Sequence, residues 1–226
     1  MASRSIPHGV FITGTDTGVG KTFVAAALLR ALCGAGKRAV GRKPVAAGIE
    51  PGCDVNADVA ALAEAGTVDA PLADRNPDAF AAPIAPHLAA RAQGVGIDIG
   101  VVAAAYGRLA AVADAVVVEG AGGVVVPIDA RRDMLDIASA LGLPVLLVVG
   151  MRLGCLNHAL LSAWAIRARG LTLAGWVANR LPPEMEQVDA NIDAITQRLG
   201  VAPIATFGFE QPGRFVPEVL RALEMD

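Results

Sequence analysis

Gly14-Thr15-Asp16-Thr17-Gly18-Val19-Gly20-Lys21-Thr22 follows the apolar run Val10-Phe11-Ile12 and precedes an Ala/Leu-rich segment. An apolar run, a glycine loop and a helical pattern in that order predict a strand, a phosphate-binding turn and a helix start. Glycines let backbone N–H groups approach phosphate oxygens, and the helix N-terminus adds partial positive charge. Lys21 supplies a mobile full charge, and the Thr22 hydroxyl is a hard oxygen ligand for Mg²⁺. The chain is therefore expected to handle ATP or GTP. Five residues rather than the usual four separate Gly14 from Gly20, and Thr15 stands where the first glycine normally falls. A Gly-rich turn that binds nothing is the competing reading. The coincidence of Gly, Lys and Thr at a strand-to-helix junction weighs against it.

Outward from this loop, β-branched runs alternate with helical patterns along the chain, the sequence form of a parallel sheet covered on both faces. Strands are predicted near Val10–Thr13, Ala39–Pro44, Ala115–Val118, Pro144–Val149, Ala174–Ala178 and Pro203–Thr206. Helices are predicted over Lys21–Cys33, from Asn56–Asp58 onward, and over Ile99–Val112, Met134–Leu141, Asn157–Arg169, Glu184–Leu199 and Val216–Leu223. Residues 67–97, rich in Pro and Ala, read as a long excursion with one short helix around Pro86–Gln93. The expectation is an α/β fold of the P-loop NTPase type: one domain over 1–226, doubly wound, with a mainly parallel sheet of about seven strands and helices on both faces. Ligands then belong at the carboxyl ends of the strands.

Composition bounds the function. With 226 residues, 54% of them hydrophobic and 18% charged, the chain can bury a sizeable core. A net charge of -3 and the lack of a dense Lys/Arg run argue against nucleic acid as partner. No segment offers the roughly 20 uninterrupted apolar residues of a membrane span, and Met1 to Pro7 lacks a signal-peptide core, so a cytoplasmic protein is expected. Cys33, Cys53 and Cys155 fit reduced thiols better than a disulfide frame or a zinc site, with Cys33 assigned to helix packing. A mean hydropathy of +0.51 with only 4% aromatic residues suggests an apolar surface covered by a second subunit, or an Ala-rich interior.

Strand ends are where chemistry is sought. Glu119 closes the run Ala115–Val118 and is followed by Gly120-Ala121-Gly122-Gly123, so it faces either a metal-bound phosphate or solvent at a strand exit. Lys43 closes the second strand, and Pro44 stiffens the exit; taken alone it reads as a surface charge. Asp58 opens a helix, where an N-cap or first-turn carboxylate explains it equally well. Gly154-Cys155-Leu156-Asn157 precedes a helix and offers backbone N–H groups to an anion. His158, just inside that helix, reads as a packing or capping residue, and His87 in the Pro-rich excursion as a candidate for the substrate side.

Together these segments resemble the dethiobiotin synthetase family. The resemblance runs in order through Gly14–Thr22, Lys43–Gly48 (K-P-V-A-x-G), Asn56–Asp58, Glu119–Gly123 (E-G-A-G-G), Gly154–His158 (G-C-x-N-H) and Gly175–Asn179 (G-W-V-A-N). It implies an enzyme that converts 7,8-diaminononanoate, CO2 or bicarbonate and MgATP to dethiobiotin, ADP and phosphate. It implies a homodimer with small-molecule substrates. It also assigns roles: Lys43 and Lys21 to catalysis; Thr22, Asp58 and Glu119 to Mg²⁺; and Thr17, Gly18, Val19, Gly20, Lys21, Thr22 and Phe23 to the nucleotide. Gly120, Ala121, Gly122, Asn179, Arg180, Gly208 and Phe209 join the nucleotide set, with Asn179 on the adenine edge. Lys43, Ala47 and Gly154, Cys155, Leu156, Asn157 would meet the substrate, the last four at its carboxylate tail. Two positions depart from the family pattern, Gly18 for an acidic residue and Ala47 for a hydroxyl. Two other families with a similar loop fit less well. Septum-positioning and partition ATPases carry an extra lysine near the loop start, where Gly14-Thr15-Asp16 stands here, and cobyrinate amidating synthetases carry a glutaminase domain for which no room remains.

Overall fold

The computed structural model describes residues 8–183 and 185–208. The expected helix Val216–Leu223, the residue Phe209 and the expected helix start at Glu184 lie outside them. The elements, in chain order, are β1 (His8–Gly14), α1 (Lys21–Gly34), β2 (Ala39–Arg42), β3 (Val45–Ala47), α2 (Ala57–Ala65), α3 (Leu72–Arg75), β4 (Asp78–Phe80) and α4 (Pro86–Ala92). After these come α5 (Ile99–Ala110), β5 (Ala115–Gly123), α6 (Met134–Leu141), β6 (Val145–Met151), α7 (Cys155–Ala168), β7 (Leu173–Arg180), α8 (Val188–Leu199) and β8 (Ala205–Phe207).

Six strands form one parallel sheet in the order β2-β5-β1-β6-β7-β8, and β3 and β4 form a second, two-stranded parallel sheet. The doubly wound α/β class is as expected, but the single layer of about seven strands is corrected. The predicted strand Ala39–Pro44 divides at Lys43-Pro44, because Pro44 has no N–H to continue the ladder. The residues just beyond it, Val45–Ala47, form β3 and pair with β4, in the stretch that read as an excursion.

Side-chain alternation sorts the core onto two faces. Val10, Ile12, Val117, Leu146, Val148 and Val177 pack with Val24, Leu28, Leu29 and Leu32 of α1 and Leu62 of α2. Phe11, Val116, Val118, Leu147, Val149 and Trp176 point the other way, against α5, α6, α7 and α8 through Val102, Ile137, Ala159 and Ile195. Much of this interior is alanine, which accounts for part of the high hydropathy. The Cys33 Sγ lies 3.7 Å from the Ala65 carbonyl oxygen, between α1 and α2, and all three cysteines are unpaired. No helix among the described residues is long and apolar enough to cross a membrane.

This order fixes the site. β1 lies between β5 and β6; the chain leaves β1 for β2 on one side and the adjacent β6 for β7 on the other, so a crevice opens at the carboxyl end of β1. The segments after β1, β2, β5, β6 and β7 all reach that edge.

Candidate active site

The phosphate loop is held open by its own backbone and by β7. Gly18 and Gly20 have φ of 74° and 87°, the left-handed region that glycine occupies without a Cβ penalty. A side chain at Gly20 would collide with the Asn179 amide. Asn179 Nδ2 donates to the Val19 carbonyl at 2.8 Å, so β7 braces the loop from behind. Val19 is fully buried, whereas Thr17 and Gly18 face solvent. Lys21 Nζ donates to the Asp16 carbonyl at 2.9 Å. Burial pushes the Lys21 ammonium down to about 8, with Lys43 adding to the fall and Glu119, Asp58 and Asp16 opposing it.

Four side chains meet beside this loop. Lys43 Nζ donates to Asp58 Oδ2 at 2.5 Å and to Glu119 Oε1 at 2.6 Å, and Thr22 Oγ1 donates to the same Glu119 oxygen at 2.9 Å. Glu119 is not at a strand exit. β5 runs on to Gly123, Glu119 pairs with Ile12 of β1, and its carboxylate is wholly shielded from water. The solvated reading of Glu119 is thereby corrected. Asp58 lies in the first turn of α2, whose N-cap is Asn56; the Asn56 side chain accepts from the Asp58 N–H at 3.0 Å and its Nδ2 donates to the Gly48 carbonyl at 2.9 Å. The helix start therefore fixes Asp58 while the carboxylate remains for Lys43.

Charge balance decides the protonation states. Burial works against the Lys43 ammonium, but Glu119 and Asp58 outweigh it and hold the lysine above its ordinary value. Burial pushes Glu119 upward, and Lys43 and Thr22 oppose that rise. Asp58, less buried, is held below the ordinary carboxylate range because Lys43 outweighs its desolvation. Glu119 Oε2 has no partner among the described residues. A buried carboxylate oxygen without a donor next to a hydroxyl and a second carboxylate is a suitable donor set for Mg²⁺, which takes one or two carboxylates and completes its shell with phosphate and water. No group of three or more His, Cys, Asp or Glu among the described residues could hold a metal alone.

Gly120 and Ala121 are buried behind the cluster, and Gly122, at φ 65°, lies against Thr17. Phe23 is 44% exposed and meets Phe207 edge-on at 5.5 Å, which places an aromatic pair beside half-buried Gly208. The Arg180 guanidinium donates to Asp189 at 2.5 Å. Ala47 is half-buried in β3. α7 starts at Cys155, two residues before the expected Asn157, because Gly154 at φ 97° turns the chain and no side chain caps the helix. The Cys155 N–H is taken by the Arg152 carbonyl at 2.9 Å and its side chain is buried, while Leu156 and Asn157 are exposed. Cys155 can thus shape this loop but does not present its thiol there. His158 is exposed and sits 3.0 Å from Asp16 Oδ2, joining α7 to the phosphate loop. That contact joins two segments far apart in the chain, and nothing in the spacing announced it. His87 is half-buried in α4, with its Nδ1 unpartnered.

Comparison with known proteins places the chain in a family. A family model described as an AAA domain matches residues 8–210. The ATP-dependent dethiobiotin synthetase BioD of Aromatoleum aromaticum is 52% identical over 204 residues, covering 87% of this chain and 91% of that protein. The protein of the same name from Nitrosospira multiformis is 51% identical over 203 residues, covering 90% and 89%. Among solved structures, the MinC:MinD cell division complex of Aquifex aeolicus matches 96% of this chain and 84% of its own, at a TM-score of 0.55 and 16% identity. A ParA family ATPase from Chlorobium tepidum matches 96% and 89%, at 0.55 and 14%. Chloroplast FtsY of Physcomitrella patens matches 100% and 67%, at 0.54 and 16%. At such low identity these three share the fold alone. By its near full-length identity to the two synthetases, the chain belongs to the ATP-dependent dethiobiotin synthetase family.

Proposed function

We propose that this chain closes the ureido ring of dethiobiotin from 7,8-diaminononanoate, CO2 and ATP, releasing ADP and phosphate, as a step of biotin biosynthesis. The observation that carries the reading is Lys43 held between Asp58 and Glu119, with Thr22 on the same Glu119 oxygen, at the strand edge where the phosphate loop opens. One substrate amine takes up CO2 as a carbamate. A carbamate oxygen attacks the γ-phosphorus, the bond to the β-phosphate oxygen breaks, and ADP leaves. The neighbouring amine then attacks the carbamate carbon, phosphate departs, and the ring closes.

The difficulty is that one anion must attack another. Lys43, held protonated at rest by its two carboxylates, serves as a positive charge and hydrogen-bond donor rather than as a base. Lys21 supplies the second charge at the β- and γ-phosphates. Preorganised donors of this kind are each worth about 10²–10³ in rate. Thr22, Asp58 and Glu119 would hold Mg²⁺, which when bound with nucleotide neutralises phosphate charge. Thr17 and the backbone of Gly18–Thr22 would surround the phosphates, with Gly120, Ala121 and Gly122 behind them. Asn179, besides bracing the loop, would read the adenine edge, with Phe23, Arg180 and Gly208 around the base. The substrate would lie by Lys43 and Ala47, and its carboxylate would meet Gly154, Leu156 and Asn157, with Cys155 shaping the loop from beneath.

A homodimer is part of this reading. Leu153 is 94% exposed and Trp164 70%, and with Leu156 and Leu161 they leave an apolar patch on and before α7 beside the carboxylate loop, as a covered interface requires. The test is ADP release by purified protein with each reactant omitted in turn. Turnover that needs diaminononanoate, bicarbonate and Mg²⁺ together is expected. Turnover without the diamine, stimulated by DNA or lipid, would overturn the assignment.

A further inference from the structure

The main sheet stops supporting the chain one residue before Lys43. β2 ends at Arg42, whose partner is Val118 of β5, and the next N–H, that of Lys43, donates outside the sheet, to the Arg75 carbonyl at 3.0 Å. Pro44 has no N–H at all. Two buried carbonyls, of Lys43 and Pro44, therefore have to find donors at the bend from which the Lys43 side chain departs, since an unmatched one is destabilising.

The Asn76 side chain supplies the first, and a backbone N–H close by supplies the second. Asn76 Nδ2 lies 2.8 Å from the Lys43 carbonyl, 3.1 Å from that of Asp78 and 3.5 Å from that of Pro44, and the residue is buried. Three carbonyl oxygens around it leave only the amide nitrogen as a sensible occupant of that position. The Asp78 N–H completes the bend with a bond to the Pro44 carbonyl at 3.1 Å. The segment that presents Asn76 is itself tied down. Arg75 donates to the carbonyls of Gly41 at 3.0 Å and Val68 at 2.6 Å, and the Asp74 carboxylate takes Arg108 Nη2 at 2.6 Å. Residues 74–78 thus replace the missing β-ladder and set the origin and direction of a long, flexible side chain.

We infer that Asn76 is the positioning residue for Lys43 in phosphoryl transfer. The inference rests on the reading of Lys43 given above. While Lys43 is bound to Asp58 and Glu119, its tip is fixed by those carboxylates. When it turns to an incoming phosphate it leaves them, and the clamped backbone is what still determines where its charge sits. The ammonium stands at the far end of a long side chain, so a small rotation at the bend moves it far more than it moves the backbone. A displacement near 1 Å at a reacting group costs on the order of 10²-fold in rate.

The test is a double-mutant cycle on the full chain, reading kcat, KM for ATP and ADP affinity. Asn76→Ala should lower kcat about 10- to 100-fold, while ADP affinity and the KM for ATP change less than about 3-fold, since the phosphate loop is untouched. Asn76→Ser, which keeps one donor, should lose less, and it carries the test if the alanine variant does not fold. The decisive reading is Lys43→Ala with and without the second substitution. Once Lys43 is gone, Asn76→Ala or Asn76→Ser should slow the residual rate by less than about 2-fold. An equal loss in both backgrounds, or an unchanged kcat in the single variants, would refute the positioning role. A Lys43→Ala enzyme as fast as the parent would instead remove the role of Lys43 on which the inference rests.

Discussion

Removing Lys43 exposes what its charge does for Glu119. The two groups are 2.6 Å apart, and at an effective dielectric constant near 20 their attraction is about 6 kcal/mol, comparable with the several kcal/mol that burying each ion costs. The pair is therefore close to neutral for folding, but either half alone is not. In Lys43→Ala the wholly buried Glu119 carboxylate has lost its cation. Keeping the charge costs about 3–5 kcal/mol; taking up a proton at pH 7 against an ordinary pKa near 4.3 costs about 3–4 kcal/mol. Both routes predict a loss of about 3–4 kcal/mol at pH 7. The sign with pH follows from proton binding. A protonated Glu119 in the folded variant faces an ionised one in the unfolded chain, so the folded state binds more protons and stability falls as pH rises above about 4.3. The destabilisation should shrink by about 1.4 kcal/mol per pH unit, to about 1 kcal/mol at pH 5. Urea unfolding of parent and variant between pH 5 and 8 measures it, and adding Glu119→Gln to the variant should recover most of the loss. A pH-independent difference, or no recovery in the double variant, would refute the reasoning. In the same protein, ring closure should fall about 10²–10³-fold while ADP still binds; undiminished product formation would contradict the role of Lys43.

Nucleotide binding should take up a proton at pH 8 to 9, because Lys21, brought down to about 8 by burial, is recharged by the phosphates. Above that value ATP affinity should fall with rising pH, and calorimetry in buffers of different ionisation enthalpy would report uptake that Lys21→Met abolishes. Gly20→Ala sets a Cβ into the Asn179 amide at a φ of 87°, so ADP binding should be lost in a chain whose melting temperature drops by only a few degrees, about 1–3 kcal/mol; titration of ADP checks it, and parent-like affinity contradicts it. On the homodimer proposed above, the parent should scatter light as a dimer and Trp164→Glu as a monomer, with a raised KM for the diamine and ADP affinity unchanged; a monomeric parent would refute the dimer, and a dimeric variant would remove α7 from the interface.

Much of the fold was legible because a buried parallel strand writes itself as an apolar run and each helix as a periodic one. Runs such as Ala115-Val116-Val117-Val118 mark the central strands, and the alternating faces of Val10, Phe11 and Ile12 divide the two cores. Within 67–97 only the short helix around Pro86–Gln93 was legible, as α4; α3 and β4 are too short for any period to emerge, and their stability comes from Arg75 and Asn76 bonding to distant carbonyls. Glu119 looked like a strand exit because glycines normally end a strand; here Gly120 to Gly123 extend β5, and Phe11 packs where any side chain on Gly120 would stand.

The order of residues by itself determined the phosphate loop, the class of sheet and the family, because these depend on local chemistry repeated at fixed spacing. Tertiary structure alone decided that Lys43, Asp58, Glu119 and Thr22 touch, and that Asn76 holds the bend behind Lys43. Those contacts join segments separated by up to 97 positions, and only the strand order, which brings β2, β5 and β1 side by side, makes them neighbours.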